Sequence, residues 1–485
     1  MAALLSSLIQ RRLDADPAIT GVTADSRKVK PGFLFAALPG SKVDGGEFAA
    51  KAVAAGAAAV IAAEDMPELG VPVVVVPDPR RAYALAARAF WGAQPPIAVA
   101  VTGTNGKTSV AAFCRQIFNH AGKSAASMGT LGVRATGPGL DEQLTPPAGL
   151  TTPDAADVAE LMSVLAAKGV THLAMEASSH GLDQRRLDGV DLTAAGFLNL
   201  TQDHLDYHET MEAYQASKLR LFEALLPRGA VAVLNADSDA YGAFAATAVI
   251  SGQTVFSVGE AGQGLKLLSR HPTPEGQTLK IEAEGQVYDV RLPLVGGYQA
   301  SNVLVAAGLC IAAGEDVATV MSALETIEGA PGRLQRVGTG PKGGEAYVDY
   351  AHTPDGLETV LKALRPHVEG RLIVVFGAGG DRDRAKRPLM GKAAADHADI
   401  AIVTDDNPRN EVPAAIRAEV LVGAKGAQEI GDRREAIRSA VAQMQPGDVL
   451  VVAGKGHEQT QSIAGVMHHF DDVAEVAQAL EAERG

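Results

Sequence analysis

At 485 residues the chain exceeds one ordinary domain, and its length suggests about three. Hydrophobic residues make up 47% and charged residues 21%, the composition of a soluble globular protein, and no apolar run reaches the roughly 18 residues of a membrane span. The net charge of −14 argues against a general nucleic-acid coat. It leaves small anionic ligands open, because phosphate sites are built locally from backbone N–H groups and a few cations.

The opening MAALLSSLIQRRLDADP carries its basic pair after the apolar stretch, the reverse of a signal peptide, and predicts a first amphipathic helix. Residues 32–38 and 71–76 read as strands of a mixed first segment. Ala93-Gln94-Pro95-Pro96 marks a boundary. Beyond it a strand over 97–101 leads to a helix over 110–120, followed by strands over 172–175 and 194–200 and a helix over 209–226. Ala330-Pro331-Gly332-Arg333 marks a second boundary, after which 371–376, 399–404 and 448–453 are short, almost purely apolar runs. Strands buried on both faces read this way, so the class is α/β with parallel sheets covered by helices. Strand after strand ends in a polar, glycine-bearing cluster, which is where open α/β sheets bind ligands. The two cysteines, Cys114 and Cys310, lie in apolar helical patterns and suggest neither a disulfide nor a metal knuckle; a reducing cytoplasm fits.

Val101-Thr102-Gly103-Thr104-Asn105-Gly106-Lys107-Thr108 follows a strand and precedes a helix. Its glycines let the backbone fold around phosphate, and the helix start, with Ser109, adds N–H donors and a positive dipole end. Lys107 can reach terminal phosphates, and the Thr108 hydroxyl can join a Mg²⁺ ion. The usual P-loop has glycine where this chain has Val101, so the strand–loop–helix context carries the reading. Glu176 closes the strand over 172–175, and His204 lies beyond the strand over 194–200. A carboxylate and an imidazole there could complete magnesium coordination. Magnesium prefers oxygen ligands, however, and His204 taken alone reads as a hydrogen-bonded structural residue. Asp203 and Asp206 serve equally as caps of the next turn.

The loop Gly103-Thr104-Asn105-Gly106-Lys107-Thr108 is followed by Glu176-Ala177-Ser178-Ser179-His180-Gly181-Leu182 and Asp203-His204-Leu205-Asp206-Tyr207-His208. Then come Asp349-Tyr350-Ala351-His352-Thr353-Pro354-Asp355, Gly379-Gly380-Asp381-Arg382-Asp383 and Gly454-Lys455-Gly456-His457-Glu458. In this order, from Asp25-Ser26-Arg27 onward, the chain resembles the Mur ligase family. The resemblance implies three α/β domains: a mixed N-terminal domain, 1–94, holding a UDP group; a central P-loop ATPase with a parallel sheet, 95–332; and a Rossmann-like C-terminal domain, 333–485, bringing the incoming amino acid. It implies ATP and Mg²⁺, with Gly103, Thr104, Asn105, Gly106, Lys107, Thr108, Ser109, Asn302, Arg333 and Asp349 toward ATP. Ala24, Ser26 and Ser41-Lys42-Val43 match positions at the uridine nucleotide. Thr151, Thr152, Ser178, Gln184 and Arg186 match positions at the muramoyl-peptide end.

By the same resemblance Lys218, on the helix after the histidine-rich loop, reacts with CO₂ to give a carbamate (N6-carboxylysine). It then joins Thr108, Glu176 and His204 as a metal ligand. An amine cannot bind Mg²⁺, whereas a carbamate presents two anionic oxygens; without the resemblance Lys218 reads as a solvated helix lysine. Asp406-Asn407-Pro408-Arg409 resembles the form that selects meso-diaminopimelate over lysine, with Arg382, Gly454 and Glu458 completing the amino-acid site. Arg409 suits a bidentate grip on a carboxylate, and its bland alternative is a surface arginine after a helix cap.

The implied reaction joins meso-diaminopimelate to UDP-N-acetylmuramoyl-L-alanyl-D-glutamate through an acyl phosphate. Closure of the domains would exclude water, and His352 is the one candidate base. A monomer without nucleic-acid or membrane partners is expected. The rivals are a lysine-adding or folylpolyglutamate-type ligase, which would share the nucleotide loop, and a nucleotide-binding module that has lost catalysis; Lys107, Glu176, His204 and Lys218 speak against the last.

Overall fold

The computed structural model describes residues 2–40, 45–66, 69–144, 150–340 and 342–483. They divide into two compact units, Met1–Leu265 with Val305–Val320, and Lys266–Leu304 with Met321–Gly485.

In the first unit, Gly21–Thr23, Phe33–Ala36, Ala59–Ala62 and Val73–Val75 pair in that order, all parallel. The predicted first helix forms as Leu5–Ile9, with Leu5 and Leu8 buried. Helix Pro79–Trp91 starts on Asp78, whose side chain accepts from Arg81 N, with proline in the first turn where no N–H is missed. Its Tyr83, Ala84 and Phe90 share a core with Leu34, Ile61 and Ala155.

A larger sheet in the same unit has the order Leu140–Leu144, Gly132–Gly137, Ala125–Gly129, His172–Glu176, Ile97–Thr102, Ala194–Phe197, Val231–Asn235, Thr254–Gly259. From Ala125–Gly129 onward its strands run parallel, as the apolar runs predict. The first two pair antiparallel, a departure from the expected all-parallel sheet. Their burial explains the difference: Val133 and Ala135 are buried while Gly132, Arg134 and Thr136 are not, the alternation of an edge wet on one face. Register sets up the site, since Glu176 pairs with Val101 and Phe197 with Thr102, bringing two strand ends beside the start of the nucleotide loop.

The helix predicted over 209–226 forms as Met211–Arg220, capped by Thr210 Oγ1, which accepts from Ala213 N. It then widens into a π turn, Leu221–Leu225, where Leu226 N donates to Leu221 O. Such turns are rare and gather near functional sites.

In the second unit the sheet order is Gln335–Thr339, Glu345–Asp349, Val449–Ala453, Leu372–Phe376, Ile400–Val403, Gln428–Glu429. The first pair is antiparallel and the rest parallel. Asp349 pairs with Ala453, setting the loop after one strand beside Gly454 of the next. The unit also holds Gly276–Ala283 paired antiparallel with Gln286–Leu292, and a hairpin, Thr460–Ile463 with Val466–His469, neither of which the apolar pattern predicted. Among the described residues no helix is long and apolar enough to cross a membrane.

Candidate active site

The nucleotide loop is shaped by two glycines and braced by one asparagine. A Cβ on Gly103 would stand 2.9 Å from Leu198 Cβ, so only glycine lets the loop pass the neighbouring strand end. Gly106, at φ 90°, turns the chain into helix Lys107–His120. Asn199 Oδ1 accepts from Asn105 N (2.9 Å) while Asn199 Nδ2 donates to Asn105 O (3.1 Å). Thr104 Oγ1 accepts from Thr201 N (2.9 Å) and from Tyr214 Oη (3.2 Å). Lys107 Nζ donates to the Gly103 and Thr104 carbonyls, 2.8 Å each, holding its charge against the loop. Thr108 is half-buried, and Ser109 is buried.

Glu176 and Lys218 both reach this loop. Glu176, 2% exposed, accepts from Thr108 Oγ1 (3.1 Å) and from Thr130 N (2.8 Å). Lys218 is 1% exposed, and its Nζ donates to Gly103 O at 2.8 Å and lies 4.4 Å from the centre of the Tyr214 ring. It is therefore no solvated helix lysine. Burial, with the Lys107 charge adding, holds its pKa well below the usual ammonium value, against a weaker pull from Asp203. His204 is the partly exposed start of the short helix Leu205–His208 with φ 53°, its ring 4.9 Å from His180 and 6.2 Å from Tyr214. No group of three or more His, Cys, Asp or Glu side chains gathers as for a metal among the described residues. One carboxylate and one hydroxyl on a phosphate loop nevertheless fit Mg²⁺, which takes few protein oxygens and completes its shell with phosphate and water.

Thr152, Ser178, Gln184 and Arg186 come together behind Glu176. Thr152 Oγ1 donates to the Glu176 carbonyl (2.9 Å) and lies 2.9 Å from Ser178 Oγ, which caps helix Ser179–Asp183. Arg186 donates to Thr152 O and to Gln184 Oε1, both 2.7 Å. Thr151 Oγ1 accepts from Thr130 Oγ1 at 3.2 Å. Ala24 and Ser26 are half-buried in the loop after Gly21–Thr23. Ser41, Lys42 and Val43 lie outside the described residues.

In the second unit Asp349, buried, accepts from Leu334 N (2.7 Å) and Ala351 N (2.8 Å); burial raises its pKa against the Arg333 charge and these donors. Arg333 stacks on Tyr350, 4.6 Å from the ring centre, and exposed His352 lies 4.6 Å from the same ring. Asn302 donates to Gln299 Oε1 at 2.9 Å.

Asp406-Asn407-Pro408-Arg409 is pinned by the hairpin. Gln461 Nε2 donates to Asp406 O (2.7 Å), Ser462 N to Asn407 Oδ1 (2.9 Å), Arg409 N to Ser462 O (2.9 Å), and Ala464 N to Arg409 O (2.6 Å). Arg409 sits at φ 52°, with Nη1 donating to Gly380 O at 2.6 Å. Asn407 Nδ2 donates to Glu458 Oε2 at 3.1 Å. A Cβ on Gly454 would stand 3.4 Å from Asp406 Oδ2, and Arg382 is exposed on the loop after Gly380.

Three family models match the chain: "Mur ligase family, catalytic domain" over residues 18–91, "Mur ligase middle domain" over 101–310, and "Mur ligase, glutamate ligase domain" over 332–456. The chain belongs to the Mur ligase family. Among its Mur ligase relatives, a protein of Caulobacter vibrioides named UDP-N-acetylmuramoyl-L-alanyl-D-glutamate--2,6-diaminopimelate ligase is 72% identical over 483 residues, 99% of each chain. A protein of the same name from Mesorhizobium japonicum is 53% identical over 474 residues, 97% of each. A solved structure of a ligase so named superposes with a TM-score of 0.77 at 37% identity, covering 100% of both chains.

Several supporting residues of this Mur ligase escaped the sequence reading. Asn199 lies two residues past the strand Ala194–Phe197 in a stretch without a motif, and Thr130 meets Glu176 only through the sheet. Tyr214 lies one helical turn before Lys218, a spacing that puts both on one face, and was the most findable.

Proposed function

We propose that this Mur ligase is an ATP-dependent amide-bond ligase that adds meso-diaminopimelate to UDP-N-acetylmuramoyl-L-alanyl-D-glutamate in cytoplasmic assembly of a cell-wall peptide precursor. The observation that carries the chemistry is that an acid and a buried amine meet one phosphate loop, Glu176 through Thr108 and Lys218 through the Gly103 carbonyl. The substrates follow the printed name of the relatives and the pinned Asp406-Asn407-Pro408-Arg409 loop.

The γ-carboxylate of D-glutamate attacks the γ-phosphorus of ATP; an O–P bond forms and the bond to the ADP oxygen breaks, leaving an acyl phosphate. Lys107 turns its ammonium from the loop carbonyls to the phosphoryl oxygens, where charge develops. The neutral amine of diaminopimelate then attacks the acyl carbon, a C–N bond forms, phosphate leaves and the amine loses its proton. Arg409 holds the carboxylate that lysine lacks, and Glu458 accepts from an ammonium group. Asp349, Arg333 and Asn302 serve the nucleotide, and His352 is the candidate base. Thr152, Ser178, Gln184 and Arg186 hold the muramoyl-peptide end, and Ala24, Ser26 and residues 41–43 the uridine nucleotide.

A Lys218 kept neutral by burial is the form that adds CO₂: an N–C bond forms, a proton leaves, and two oxygens appear beside the loop. Thr108, Glu176, His204 and that carbamate would hold a Mg²⁺ ion, which would neutralise phosphoryl charge. We also read three domains, 1–94, 95–332 and 333–485. Each family match falls within one of them, apart from a single residue of the last. The test is phosphate release measured with each substrate omitted in turn and with lysine replacing diaminopimelate. Release that needs both the UDP-dipeptide and diaminopimelate is expected, and equal or better turnover with lysine overturns the reading.

A further inference from the structure

Gly454-Lys455-Gly456-His457-Glu458 lends Gly454 and Glu458 to the amino-acid site, yet the most deeply placed charge in the stretch is its lysine. Lys455 is 0% exposed, with Nζ 3.4 Å from Asn407 Oδ1, 3.6 Å from Asp406 Oδ1 and 3.8 Å from Glu458 Oε2. One ammonium thus stands behind three residues of the site. Being fully covered, it touches no ligand and acts only through them. The neighbouring buried cation makes its direct bonds elsewhere: Arg433 pairs with Asp472, both 0% exposed, at 2.7 Å, and donates to Ala453 O at 2.9 Å. The charges of Arg433 and Lys386 also bear on Asp406, and that of Arg433 on Glu458, but Lys455 is the cation whose ammonium comes within 4 Å of both carboxylates. Asp406 Oδ1, although buried, still has no hydrogen-bond partner among the described residues.

We propose that Lys455 is the positioning and charge-setting residue of the amino-acid site. Its ammonium fixes Asp406, Asn407 and Glu458 and cancels one of two carboxylate charges, so that the site matches a ligand of zero net charge over one of charge +1. This rests on the reading of the site given above. Diaminopimelate carries two ammonium and two carboxylate groups, whereas lysine carries two and one. Arg409 supplies the attraction for the extra carboxylate, and Lys455 supplies the repulsion against surplus positive charge, the two components from which selectivity is built. Burial lowers the pKa of Lys455, while Asp406, Glu458 and Asp472 favour its ammonium form and Arg433 opposes it.

The experiment measures kcat and KM for diaminopimelate, lysine, ATP and UDP-dipeptide in the wild-type protein and in the full-length variants Lys455→Met, Lys455→Gln and Lys455→Arg. In the two neutral variants KM for diaminopimelate should rise about tenfold or more, and the diaminopimelate-to-lysine ratio of kcat/KM should fall about as far. KM for ATP and UDP-dipeptide should stay in place, and Lys455→Arg should keep the ratio. An unmoved ratio, or a parallel rise of all KM values, overturns the proposal. So does a result in which neither neutral variant folds while Lys455→Arg behaves as wild type, since that makes Lys455 structural. A wild type that itself prefers lysine refutes the underlying reading instead, so the two failures are told apart.

Discussion

A methyl group on Gly129 would stand 2.1 Å from Glu176 Oε1, well inside any non-bonded contact. Glu176 is held there by Thr130 N and Thr108, so it cannot yield without leaving the loop. Gly129→Ala should destabilise the protein by about 1–3 kcal/mol and displace the carboxylate. Phosphate release should fall about a hundredfold, the scale of an ångström's misplacement at a reacting centre. Full activity in the purified variant would show that Glu176 has no part in the chemistry.

Lys107→Ala should lower turnover by at least about a hundredfold. Its melting temperature should match the wild type, because the half-buried side chain meets loop carbonyls and no core. Phosphate release and thermal melting on one preparation decide this, and wild-type turnover sinks the phosphate-binding role.

Lys218→Ala should be nearly inactive and partly recovered by short carboxylates, whose oxygens replace those of a carbamate. Labelling the wild type with ¹³C-carbon dioxide should give a carbamate resonance that the variant lacks. A fully active variant, or identical spectra, removes the carbamate from the mechanism.

Arg409→Ala should lose a charge-assisted contact of about 1.5–3 kcal/mol, roughly ten- to a hundredfold in kcat/KM for diaminopimelate. Lysine should gain little, since deleting a guanidinium builds no pocket for an ammonium. An unchanged diaminopimelate value would return the lysine-adding alternative.

Glu411 accepts two hydrogen bonds from Arg387 and one from Asp381 N, and these hold its pKa at about 2 against an ordinary 4.5. Because the folded value is depressed, the ionised carboxylate adds stability above pH 4.5, and that addition disappears as pH falls toward 2. The melting-temperature gap between wild type and Glu411→Gln should therefore shrink across this window. A gap that stays constant from pH 5 down to about 2 contradicts the assignment.

The sequence was most informative where one strand meets one loop. The runs ending at Thr102, Glu176 and Ala453 are buried on both faces, so apolar runs marked them, and polar residues at their ends marked the site. Gly132–Gly137 was illegible because it alternates apolar with polar and glycine residues over one wet face. The π turn after Arg220 leaves no trace in composition. Thr130, Asn199, Lys455 and Gln461 were missed for a shared reason: each makes a side-chain or backbone contact with a partner 46 or more residues away, which no local spacing reveals.

Arg409 holds a left-handed backbone that disfavours side chains by roughly 1–2 kcal/mol. The hairpin bonds on either side of it offset that strain as the chain folds. With Nη1 bonded to Gly380 O as well, the entropy of ordering this guanidinium is surrendered at folding and not at association. If Arg409 binds a carboxylate as proposed, that carboxylate meets a receptor already set, and its contact energy appears almost undiminished in the dissociation rate.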